Sequence, residues 1–178
     1  MSQTAPENFL SFSSLKLRQL ASRIETCLAS LDEAQVWLRS GEHANSIGNL
    51  LLHLSGNVRQ WILHGVGGAP DQRHRDEEFA ARGSISKALA WRELDATLEE
   101  ALDVIDSLPP ARLTQTIRPQ NYQVTVLEAI YHVVEHFAQH TGQIIFLTKQ
   151  IAEKDMAFYP HLSGTRQPPP PPEGQSKP

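Results

Sequence analysis

The chain has 178 residues, enough to bury a real core in one domain, with 40% apolar residues, a formal net charge of −4 and a pI near 6.0. That acidic balance lacks the basic stripe a nucleic-acid partner requires, and the absence of any long apolar run excludes a spanning helix. A single cysteine, Cys27, rules out an internal disulfide and points to the reducing cytoplasm, while Met1-Ser2-Gln3-Thr4 has neither the basic nor the apolar segment of a signal peptide.

Taken in order, the chain reads as helices. The first is predicted over residues 7–29, entered through Pro6, with Phe9, Phe12, Leu17, Leu20, Ile24, Cys27, Leu28 and Leu31 forming its stripe. Ser30 and Asp32 offer caps for a short helix through Trp37 and Leu38, which Gly41 ends. A second long helix is predicted from Asn45 or Ser46 to about His64, with Ile47, Leu50, Leu51, Leu54, Val58, Trp61 and Ile62 on its apolar face. Gly65, Gly67, Gly68 and Pro70 stop it. Residues 71–84, dense in Arg, Asp and Glu, read as a solvated crossover.

A third long helix is predicted over residues 86–107, striped by Leu89, Leu94, Leu98, Leu102 and Ile105 and broken by Pro109 and Pro110. Residues 114–124 have room for a short extended piece. The fourth long helix opens at a capping box, Thr125 with Glu128, and runs to about Ala152. Gly142 inside it costs on the order of 1 kcal/mol against alanine, which close approach of a neighbouring helix would explain. From Gly164 the chain reads GTRQPPPPPEGQSKP, where five prolines in a row favour polyproline II or disorder. The expected organisation is one all-α domain over residues 1–163, a four-helix bundle with a long crossover between its second and third helices, followed by a proline-rich tail over 164–178.

Three of the eight histidines, His132, His136 and His140, fall on the fourth helix in the segment EAIYHVVEHFAQHTGQI. A step of four residues advances about 400°, so successive members lie one turn apart on one face. Such a pair can aim two imidazoles at one ion. The ion needs a further ligand from another element, and His53, between Leu50 and Leu54 at the edge of the second helix's apolar face, is the candidate. Spacing alone leaves open which two of the three fourth-helix histidines take part. It also leaves open that the histidines form a dry polar network. Asn57, Glu128, Glu135 and Gln139 stand within a turn of these histidines and are candidates to hold their second ring nitrogens.

HLSGNVRQWI on the second helix and EHFAQHTGQIIFL on the fourth resemble the DinB-like superfamily, over roughly residues 8–160. That group includes metal-dependent thiol transferases acting with bacillithiol or mycothiol, and many members of unknown activity. The resemblance implies one histidine from the second helix and an HxxxH pair from the fourth, the second of the pair preceding a GQI-like stretch. Carried onto this chain, it implies ligands His53, His136 and His140, since Thr141-Gly142-Gln143-Ile144 follow His140, and leaves His132 behind the ligands. It further implies a Zn²⁺ or Ni²⁺ ion, a low-molecular-weight thiol, an electrophilic small-molecule substrate and a homodimer. The rival expectation is a metal-binding or stress-related protein without catalysis. Trp37, Trp61, Trp91 and Cys27 read as core, and His43, His64, His74 and His161 as helix-end or surface residues.

Overall fold

A hydroxyl side chain precedes each of the four long helices and accepts a hydrogen bond from a backbone N–H of the first turn. Thr4 accepts from Glu7, Ser46 from Asn49, Ser86 from Leu89 and Thr125 from Glu128. At Thr4, Ser46 and Thr125 the side chain three residues on returns a bond to the cap's own N–H, closing a reciprocal box. The Thr125–Glu128 box is the one the sequence predicts; the Thr4–Glu7 box starts the first helix two residues earlier than expected.

The computed structural model describes residues 3–159. The proline-rich tail and His161 lie outside them. The helices are α1 (Ala5–Leu28), α2 (Glu33–Val36), α3 (Ile47–Val58), α4 (Arg75–Ala80), α5 (Lys87–Asp106) and α6 (Val126–Ala152). α3 continues without a break into a wider π-type turn, Arg59–Val66, in which Gly67 N–H reaches back five residues to the Ile62 carbonyl at 2.8 Å. Between α5 and α6 lie a short 3₁₀ turn and a two-residue-per-strand hairpin, β1 (Thr116–Ile117) and β2 (Val124–Thr125), pairing Thr116 with Thr125 and Ile117 with Val124. That hairpin is the extended piece the sequence allowed.

α1 packs on α5 and α6, and α3 packs on the same two, so the helices run around the bundle as α1, α5, α3, α6 with α1 and α3 on a diagonal. Leu17, Ile24, Leu51, Leu54, Leu94, Leu98, Leu102, Ile105, Val133, Phe137 and Ile144 are fully buried at the centre. Each such side chain contributes about 1.5–3 kcal/mol of transfer free energy, which makes the apolar stripes the main force holding the helices together. Cys27 is buried among them, as expected. Among the described residues no helix is long and apolar enough to cross a membrane.

The crossover is not the solvated connection its composition suggests. It folds back on α3 and carries α4, and two of its charged side chains are nearly sealed from solvent: Arg73 is 3% and Glu78 9% exposed. Asn49 anchors it. Its carboxamide nitrogen donates to the backbone carbonyls of Glu78 (2.9 Å) and Ala81 (3.0 Å), while its oxygen accepts from Ser46. One buried asparagine thus caps α3 and ties the end of α4 to it. The charges are tolerated because they are paired with each other, which no count of charged residues reveals.

Candidate metal centre

α3 and α6 are neighbours in the bundle, and their histidines sit at the edge of the apolar stripes rather than outside them. On α3, His53 stands among Leu50, Leu51 and Leu54 and is itself buried. On α6, His136 and His140 flank buried Phe137 and are half-buried. The packing that buries the leucines and Phe137 therefore brings the three imidazoles together. One nitrogen from each of His53, His136 and His140 lies within 4.8 Å of the others.

The hydrogen bonds orient these rings. His53 Nδ1 lies 2.8 Å from Glu78 Oε2. Burial acts to raise the Glu78 carboxyl, but the hydrogen bonds and charge of Arg73, with the bond to His53, hold it below the usual carboxylate range. It is therefore an ionised acceptor, and His53 Nδ1 carries the proton and donates. Arg73 Nη2, 3.2 Å from the same Nδ1, then places its hydrogen bond on Glu78 instead, at 2.9 Å, alongside Nε to Oε1 at 2.7 Å. That leaves His53 Nε2 facing α6. His140 Nδ1 donates to Gln143 Oε1 at 2.8 Å, which leaves its Nε2 as the basic nitrogen.

His136 Nε2 lies 2.9 Å from His53 Nε2. Two imidazole lone pairs so close repel unless a proton or a cation stands between them. Around a tetrahedral ion with bonds of about 2.0–2.1 Å, neighbouring nitrogens stand roughly 3.3 Å apart, so a small opening accommodates one. Burial, reinforced by the rings of His140, His53 and His132, pushes the His136 imidazole down to about 3. His140 is also lowered, chiefly by burial, with its bond to Gln143 acting the other way. Both rings stay neutral, the form that binds a cation. Three imidazole nitrogens suit Zn²⁺, Ni²⁺ or another borderline divalent ion, and three protein ligands would leave a position open.

His132 stands outside the three. Its ring stacks on His136 (centroids 5.4 Å) and packs against Trp61 (4.1 Å), and burial lowers its pKa, partly offset by Glu135. Glu128 does not hold it, being engaged with Thr125 at the cap. Asn57 does not hold His53; among the described residues its buried oxygen has no hydrogen-bond partner, nor has the Trp61 indole nitrogen. Trp61 is buried as expected but borders the histidines, with Tyr122 stacked on it at 6.0 Å. His64 is at a helix end, its Nδ1 on the Ala69 carbonyl at 2.6 Å.

Sequence reasoning missed Glu78, Arg73 and Gly56. A Cβ on Gly56 would run into the Glu78 carboxylate and come within 2.9 Å of Arg73 Nε. This glycine, one turn from His53, is what lets the carboxylate reach the ring. The signal was available: a glycine inside an apolar helix beside a candidate ligand marks a close approach. Gln60 extends the chain of contacts outward. Its oxygen accepts from Arg73 Nη1 at 3.0 Å and from Gln120, a left-handed residue with φ 49°, and its nitrogen donates to Asp71 at 2.8 Å.

Comparison with known proteins adds the fold and the family. No curated protein matches this chain in sequence. The crystal structure of a conserved protein from Enterococcus faecalis superposes with a TM-score of 0.67 at 19% identity, over 81% of this chain and 97% of that one. This is a likeness of fold. The family model described as "Protein of unknown function (DUF1572)" matches residues 4–163, so the chain belongs to that family, whose bundle is DinB-like.

Proposed function

We propose that His53, His136 and His140 hold one divalent metal ion, Zn²⁺ or Ni²⁺, and that the centre serves transfer of a low-molecular-weight thiol to an electrophilic small molecule. The observation that carries this reading is the convergence of three imidazole nitrogens within 4.8 Å, two of them from rings whose Nδ1 is already committed to an acceptor. Orienting bonds of this kind fix a ring with its Nε2 toward a cation. A divalent ion at such a site supplies Lewis acidity that lowers the pKa of a thiol or water beside it.

The protein's own groups do the rest. Glu78, itself held by Arg73, keeps the His53 proton on Nδ1 and puts a negative charge behind that ring. Gln143 does the same for His140 without a charge. The low basicity of His136 keeps its lone pair free of a proton at neutral pH. His132 and Glu135 stand on the same helix face and are the groups available to relay a proton from an incoming thiol.

The test is a conjugation assay on metal-loaded protein, with bacillithiol, mycothiol, glutathione and cysteine each offered against monobromobimane. The reading expects S-conjugate formation above the uncatalysed rate with at least one thiol, abolished by chelation. Metal-loaded protein that accelerates none of these reactions would favour the binding protein without turnover.

A further inference from the structure

Gly142 lies well inside α6, where glycine costs about 1 kcal/mol against alanine. The expected reason, close approach of another helix, is absent among the described residues: an added Cβ would meet no atom of another element within 4 Å. What the glycine leaves is space. It forms part of the wall of an open cleft of about 420 Å³ between the start of α3 and the second half of α6. Leu50, Phe146 and Leu147 give that cleft apolar walls, Asn45, Gln139 and Gln143 give it carboxamides, and among the described residues no ionisable side chain lines it. The volume falls in the range of small-molecule sites, roughly 300–1,000 Å³.

The cleft adjoins the histidines. Gln139 precedes His140 in the chain, and Gln143 carries the oxygen that takes the His140 Nδ1 proton. Leu50 lies one turn before His53 on α3. A molecule in the cleft therefore sits one helical turn from the three-histidine centre.

We propose that this cleft binds an uncharged, largely apolar small molecule bearing a hydrogen-bonding carbonyl or amide. A charged ligand would give up hydration with no counter-charge to meet it. An apolar body packs on Phe146 and Leu147, and its polar atom takes a hydrogen bond from a carboxamide. The Gln143 amide nitrogen can donate to that atom while its oxygen remains on His140. Such an occupant and the ion share Gln143, so each alters the other's affinity by the same factor. That the occupant is the electrophile of the transfer rests on the function proposed above; its binding does not.

The test uses the full chain, chelator-treated and zinc-loaded, titrated with the uncharged fluorescent ketone 6-propionyl-2-(dimethylamino)naphthalene, which pairs an apolar ring body with one carbonyl. Wild type is expected to bind it saturably, one per chain. Gly142→Leu keeps a strong helix former in α6 and fills the cleft, so it is expected to weaken the probe at least tenfold with zinc content unchanged. Phe146→Gln, at an exposed position, removes an apolar wall and is expected to weaken it several-fold should the leucine variant not fold. No saturable binding to wild type, or equal affinity in the folded variants, overturns the cleft. So does a dimer that Gly142→Leu converts to monomer in light scattering, because a second copy would then cover this face. Probe binding without zinc binding refutes the metal centre and leaves the cleft standing; zinc binding without probe binding does the reverse.

Discussion

A histidine that is to bind a metal from an apolar setting has two needs that conflict, and the surroundings of His53 answer both. The ring must be buried to be held still, yet its Nδ1–H must not be left unpaired, which costs about 1–3 kcal/mol. Glu78 meets the second need with a buried carboxylate, and Arg73 keeps that carboxylate charged. Replacing Glu78 with glutamine removes the charge at nearly constant shape. We expect Glu78→Gln to weaken metal binding about 10–100-fold, as loss of such outer partners does, with an unchanged far-ultraviolet circular dichroism spectrum. Gly56→Ala should do the same from the opposite side, because the new Cβ displaces the carboxylate while favouring the helix. Isothermal titration calorimetry checks both, and wild-type affinity in Gly56→Ala would contradict the close approach. Cys27 gives a prediction of the opposite kind. Burial pushes its thiol up, against the pull of Thr148 and Lys149, so it should not react with Ellman's reagent until the chain unfolds. Rapid stoichiometric labelling of the native protein would show that the α1 packing is wrong.

At the scale of elements, the long helices were legible because their apolar residues repeat every three or four positions and their caps are explicit. The i, i+4 histidine pair was legible for the same reason. The crossover was not, since burial there depends on partners distant in sequence: Arg73 with Glu78, Glu78 with His53, and Asn49 with two carbonyls of α4. Composition records only that the segment is charged. The wider turn at Arg59–Val66 was equally hidden, because its residues have the helical pattern expected of a continued α3. Spacing could not choose between His132 and His136 either; in the structure His132 packs against Trp61 while His136 faces His53. The element most exposed to test is α4. Asn49→Ala leaves the Glu78 and Ala81 carbonyls without their donor and removes the Ser46 acceptor. It should cost about 1–3 kcal/mol of stability, measured by urea unfolding, and raise proteolytic nicking within residues 71–84. A loss below about 0.5 kcal/mol would mean that α4 is held by other contacts.

Across the whole molecule, the candidate centre bridges two helices that meet side by side in the bundle but are separated in sequence by the crossover, α5 and the hairpin. An ion held there ties α3 to α6 and stabilises the folded chain by linkage, by about 2.7 kcal/mol when the free ion is at a hundred times its Kd. Removing it with a chelator should lower Tm by several degrees and restoring it should reverse the change. The most direct measurement is calorimetric titration of chelator-treated protein with Zn²⁺ and Ni²⁺, run on wild type and on the four variants His53→Ala, His136→Ala, His140→Ala and His132→Ala. The account predicts one ion per chain for wild type and for His132→Ala, and at least a hundredfold weaker binding for the other three. Undiminished binding by His53→Ala or His140→Ala, or a wild-type chain that takes up neither ion, would contradict it.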